Sequence, residues 1–183
     1  MKEKEKNHHI TLLKRIDFKG MSTLFKMRDK FHPPIEKVKK AGIKPGDYVL
    51  DYGCGPGNFT LAAASLVGSS GIVYAADINP LAIETIKNEI LKNKLNNIST
   101  ILTELNTGLK DHSVDAIICF DMIHQIKDLR NHLKEFHRVM KFNSILSIDD
   151  HHLKENDIIS KITEFELFKF VEKKEKIFNF IKV

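Results

Sequence analysis

From residue 48 onward, short apolar runs alternate five times with stretches of helical period, and few folds accept that pattern. The apolar runs are YVLDY (48–52), GIVYAAD (71–77), STILTEL (99–105), VDAIICF (114–120) and SILSIDD (144–150). Between them, PLAIETIKNEILKNK puts Ile83, Ile86 and Ile90 on one helical face, and Leu129, Leu133, Phe136 and Met140 keep the same spacing. NFTLAAASLV, a stretch near 155–164 and a segment from Pro34 to about Ala41 supply three further helices. Strands joined through helices run the same way, so the pattern predicts an α/β, doubly wound sheet with helices on both faces. FELFKFVE and KIFNFIKV, joined by KKEK, predict a closing antiparallel hairpin. We expect an N-terminal arm or lid over 1–34, with a helix at Met21–Lys30, and one domain over 35–183.

In such sheets ligands sit at the carboxyl ends of the strands. The first strand ends at Tyr52 and runs into Gly53-Cys54-Gly55-Pro56-Gly57, which reads as a turn letting a ligand approach bare backbone. A dinucleotide is the obvious occupant, but its G-x-G-x-x-G/A pattern fails at Asn58. Asp51 would also press a negative charge toward a pyrophosphate. A cofactor without phosphate and with positive charge removes both objections, and S-adenosylmethionine carries an ammonium and a sulfonium.

VLDYGCGPGNFT resembles the first motif of class I S-adenosylmethionine-dependent methyltransferases, apolar-x-D-x-G-x-G-x-G. The likeness runs over about 35–150 and keeps the element order. It implies a Rossmann-like sheet of seven strands, order 3-2-1-4-5-7-6, mostly parallel, with the hairpin as strands six and seven. It further implies that Asp51, Gly53, Cys54, Gly55 and Gly57 meet the cofactor, that Asp77 binds the ribose diol, and that Ile78 packs on adenine. Phe120 and Asp121 fall near the methionine end. Where the family commonly has an acid against the adenine amino group, this chain has Thr103, followed by Glu104 and Leu105. Either Thr103 or, after a one-residue shift, Glu104 takes that role. The product would be S-adenosylhomocysteine.

The fourth-strand region resembles the ubiquinone/menaquinone-type small-molecule group. No N/D-P-P-Y/F run follows strand four, which argues against methylation of exocyclic base amines. Cys119 lies within a strand rather than after it, which argues against attack on cytosine. A small-molecule acceptor is expected, and His124 is the candidate base or substrate contact. His151, His152 and His32 are alternatives. Asp121, Asp149 and Asp150 fall where catechol-type O-methyltransferases hold magnesium, yet one partner position is Asp rather than Asn; no metal is expected. A binding protein that keeps the cofactor site without turnover is the alternative function.

Composition limits the remaining classes. A net charge of +5 would suit nucleic acid, but KEKEK (2–6) and EKKEK (172–176) interleave the charges, and no nucleic-acid motif is present. No apolar run approaches the roughly 20 residues that span a bilayer. The charged start MKEKEKNHH leads into no signal-peptide core, and the two cysteines lack metal-type spacing, so a cytoplasmic protein is expected.

Overall fold

The computed structural model describes Gly20 and residues 33–183. The chain divides into two compact units, Met1–Pro33 and Pro34–Val183, and the elements below belong to the second. The expected arm up to His32, with its Met21–Lys30 helix, lies outside the described residues.

Helix α1 (Pro34–Lys40) precedes β1 (Tyr48–Tyr52). Then come α2 (Asn58–Val67), β2 (Ile72–Asp77), α3 (Pro80–Asn93), β3 (Ile98–Leu102) and β4 (Val114–Phe120). Helix α4 (Leu129–Val139), β5 (Met140–Asp149), α5 (Glu155–Thr163), β6 (Phe168–Lys174) and β7 (Ile177–Lys182) complete the domain. The seven strands form one sheet in the order β3-β2-β1-β4-β5-β7-β6. Strands β1 to β5 pair in parallel, and β7 is antiparallel to both β5 and β6.

Two cores flank this sheet, and the pleat of β4 feeds both. Ile117 and Cys119 join Leu50, Tyr52, Leu133, Phe136, Ile158 and Phe180 on one face. Ala116, Ile118 and Phe120 join Val49, Ala63, Ala64, Val67 and Val38 on the other. A strand buried on both sides has no use for polar alternation, which is why VDAIICF reads as a nearly continuous apolar run. At the start of α3, Pro80 sits in the first turn, where no N–H is needed, and the Asn79 side chain accepts from the Leu81 N–H at 3.0 Å.

Several boundaries differ from the sequence reading, β6 among them, which runs Phe168–Lys174 rather than over 165–172. Strand β3 stops at Leu102 rather than 105, because Thr103 turns the chain by donating its hydroxyl to the Asn106 carbonyl at 2.7 Å. Strand β5 begins at Met140, directly where α4 ends, rather than at Ser144. Among the described residues, no helix is long and apolar enough to cross a membrane.

Candidate active site

The turn after β1 spends its own amides. Gly53 and Cys54 both donate to the Ala76 carbonyl, at 2.8 and 3.1 Å, and Gly57 donates to the Cys54 carbonyl at 3.0 Å. Gly55 donates to Asp77 Oδ2 at 2.9 Å, and Pro56 has no N–H. A phosphate cradle needs these donors free and turned outward. Here residues 53–57 offer none.

The glycines divide by purpose. A Cβ on Gly53 would lie 2.2 Å from Met122 Cγ, and one on Gly57 would lie 2.8 Å from the buried Ile86 Cγ1, and both glycines have positive φ, so crowding and backbone together disfavour larger residues. A Cβ on Gly55 would meet nothing within 4 Å, yet its φ of +51° strains any L side chain. Gly55 therefore bounds open space rather than packed protein.

Two carboxylates frame the turn. Asp77 ends β2 and is aimed by two amides, from Gly55 at Oδ2 and from Asn79 at Oδ1 at 2.7 Å. Each oxygen keeps a second lone pair for an incoming donor. Beside it, Ile78 is 58% exposed, an uncovered apolar surface next to a fixed carboxylate. Asp51, by contrast, is buried and accepts the Thr60 hydroxyl at 2.6 Å. Burial pushes its acid up to about 7; Thr60 opposes the shift and the Asp77 charge adds to it.

The segment after β3 is held from below. The Glu104 carbonyl accepts from the Tyr52 hydroxyl and faces His132 Nε2 at 2.9 Å, while His132 Nδ1 faces the Asp128 carbonyl at 2.7 Å. Thr103 is committed to its turn, since its hydroxyl also accepts the Leu105 N–H at 3.2 Å. The Glu104 side chain lies exposed.

At the ends of β4 and β5, pairs of acidic and basic side chains meet. Asp121 has φ +55°, donates its N–H to the Asp149 carbonyl at 2.7 Å and accepts His151 Nδ1 at 2.6 Å. Burial would raise the Asp121 acid, but the His151 hydrogen bonds and the Lys37 charge more than offset it and hold the acid below its ordinary value. Asp149 pairs with Lys37 of α1, whose ammonium sits 5.0 and 4.9 Å from the Phe59 and Phe120 ring centres. Asp150 has a fully buried side chain and accepts His124 Nδ1 at 2.8 Å and the His124 N–H at 3.0 Å. The His152 ring lies 4.1 Å from that of His124 and 3.9 Å from that of His151. Among the described residues, no group of three or more such side chains could hold a metal ion.

The structure thus brings Asp51, the glycine turn, Asp77 and Ile78 together, and gathers His124, Asp121, His151 and His152 at the next strand ends. Sequence reasoning missed Thr60, Lys37 and the pairing of Asp150 with His124. The doubled Asp149-Asp150 at a strand end, facing a loop that holds His124, was the visible signal for that pairing. Both thiols, Cys54 and Cys119, are buried, and burial pushes each of them up.

The model of a family described as methyltransferase domain matches residues 43–179. The chain belongs to the methyltransferase domain family. This methyltransferase domain is 35% identical over 121 residues to the 2-phytyl-1,4-naphtoquinone methyltransferase of Nostoc sp., covering 65% of this chain and 53% of that protein. It is 24% identical over 140 residues to the demethylmenaquinone methyltransferase of Geobacillus sp., covering 76% of this chain and 60% of that one. The chain therefore spans little more than half the length of these curated relatives. The crystal structure of a SAM dependent methyltransferase from Aquifex aeolicus shares the fold, with a TM-score of 0.74 at 24% identity, over 81% of this chain and 89% of that one.

Proposed function

We propose that this methyltransferase domain binds S-adenosylmethionine at the carboxyl ends of β1 and β2 and passes its methyl group to a small molecule. The observation that carries the cofactor assignment is the inward-turned glycine loop between two carboxylates. It repels phosphate and suits a cationic nucleoside. Asp77 takes the ribose hydroxyls with its remaining lone pairs, Ile78 covers one face of the adenine, and Glu104 rather than the committed Thr103 reaches the adenine amino group, beside Leu105. Asp51, with Gly53, Cys54, Gly55 and Gly57, lines the cationic end, and Phe120 and Asp121 close it. Bound there, the cofactor supplies an electrophilic methyl on sulfur.

His124 is the side chain we assign to the acceptor, and the names of the relatives make ring compounds of the quinone type the first candidates. A chain that only bound the nucleoside would have no use for a histidine held by a buried carboxylate beside the crevice. Calorimetry with S-adenosylhomocysteine tests the reading. Asp77→Ala should lose the diol hydrogen bonds, about 1.5–3 kcal/mol or about 10- to 150-fold in Kd. An unchanged Kd would overturn the ribose assignment.

A further inference from the structure

We propose that Asp150 and His124 form a base dyad, with Asp150 the positioning residue, and that the acceptor is therefore a small molecule with an ionisable hydroxyl. The inference rests on the methyl-transfer reading and sharpens it. The Asp150 carboxylate is 0% exposed and has no lysine or arginine against it among the described residues. Among the described residues it accepts from His124, through Nδ1 at 2.9 and 2.8 Å and the N–H at 3.0 Å, and from the His152 N–H at 3.1 Å. A carboxylate cannot donate, so the hydrogen shared with the ring sits on Nδ1, and the neutral ring then carries its lone pair on Nε2. Burying a carboxylate to hold one edge of a histidine is costly unless the other edge is used.

The surroundings fit that use. The side chain of His124 is 22% exposed where that of Asp150 is not, and the His152 ring lies 4.1 Å from the imidazole. His124 also borders a cleft of about 300 Å³, a size that suits a small ring, whose lining mixes Ile123, Ile126, Leu129 and Phe165 with charged side chains.

The proton balance narrows the acceptor class. An aromatic amine is neutral at pH 7, attacks a methyl sulfonium with a free lone pair and needs no base before the bond forms. A hydroxyl is a poor nucleophile until its proton leaves. In the step we assign, His124 Nε2 takes the O–H proton and the acceptor oxygen forms the O–CH3 bond. The S–CH3 bond breaks with its electron pair on sulfur, leaving neutral S-adenosylhomocysteine and an imidazolium paired with Asp150. The other charged or titratable groups near His124 are His152 and, beyond it, His151 with Asp121. The cleft adds Lys127 and Asp128 from the same connection, Arg130 from the first turn of α4, and Lys161 and Glu164 from the end of α5.

Two measurements on the full chain test this. Nitrogen-15 spectra of the imidazoles should show the Nδ1–H tautomer at His124 and its loss in Asp150→Asn; an Nε2–H tautomer in the parent chain overturns the dyad. Methyl-labelled S-adenosylmethionine is then offered with catechol, 1-naphthol and 4-hydroxybenzoate, and with the corresponding aromatic amines. Label should reach a hydroxyl compound. His124→Ala and Asp150→Asn should each lower kcat about 100-fold or more with KM for the cofactor unchanged. Added imidazole should restore part of the rate to His124→Ala, and Asp150→Glu should regain part of the loss. Label on amines alone, or on none of the panel while S-adenosylhomocysteine still binds, overturns the hydroxyl assignment. Failure of the parent chain to bind S-adenosylhomocysteine would instead strike the function beneath it.

Discussion

At the scale of single residues, Asp51 sets a conflict between the empty and the occupied crevice. Its acid has an ordinary value of 3.8 in the unfolded chain and about 7 when buried beside Thr60. The folded form therefore holds the proton more tightly, and stability falls as pH rises from about 4 through about 7, by on the order of 4 kcal/mol in full. A cation lodged beside the carboxylate reverses the sign of that burden. Asp51→Asn keeps an acceptor for the Thr60 hydroxyl and removes the charge. Without ligand, urea unfolding should show the variant gaining on the parent between pH 5 and pH 8, by a few kcal/mol, while its affinity for S-adenosylmethionine drops. Parallel curves across that range would show that Asp51 carries no such charge. This residue was legible in the sequence because a lone acid ahead of a glycine turn has few uses. Its partner Thr60 was not, because a threonine in a helix announces nothing until the turn brings it back over the strand. Asp150 was half legible, since the doubled acid was visible but both acids are buried and only the fold decides that one meets Lys37 and the other His124.

At the scale of elements, α4 holds the connection between β3 and β4. Glu135 Oε1 accepts both the N–H and the hydroxyl of Thr107, at 2.9 and 2.7 Å, and Arg138 grips Glu135 at 2.8 Å while also donating to the Leu109 carbonyl at 2.8 Å. This connection carries Thr103, Glu104 and Leu105 at its start, so the helix holds the segment we assign to the adenine. Burial would raise the Glu135 acid, but the hydrogen bonds from Arg138 and Thr107 prevail and lower it from 4.5 to about 2. The stabilisation is then complete above about 4.5 and is lost as pH falls through about 2. Glu135→Gln should lower stability at pH 7 by on the order of 1 kcal/mol, allowing for solvent screening, and flatten the acid limb of the stability profile. Thermal melts at pH 7 and pH 3 check this; an equal deficit at both would remove the charge from the account. The strands and helices themselves were readable because each has a period, and β4 declared itself by having none. The clamp was unreadable, because Glu135 and Thr107 lie 28 residues apart and only the folded crossover joins them.

At the scale of the whole molecule, the question is what ties the C-terminal hairpin to the parallel sheet that builds the site. Strand β7 lies between β5 and β6, and its Asn179 is 2% exposed. The Asn179 amide oxygen accepts the Ser147 hydroxyl of β5 at 2.7 Å, and its nitrogen donates to the Lys40 carbonyl at the end of α1 at 3.2 Å and to Glu172 of β6 at 3.3 Å. One side chain thus joins three strands to the helix that carries Lys37 to the site. Removing it leaves the Lys40 carbonyl without its amide donor and the Ser147 hydroxyl with the Ala41 carbonyl alone, at 3.1 Å, a loss on the order of 1 kcal/mol. Because β7 pairs on both edges, that loss cannot stay local: a loosened β7 exposes the inner faces of β5 and β6 together. Asn179→Ala should therefore lower the urea midpoint of one cooperative transition without changing its slope. A second transition at low urea would mean that the hairpin opens alone. In that case Lys37 and Asp149 should keep their pairing in the variant, and S-adenosylhomocysteine should bind it as tightly as it binds the parent.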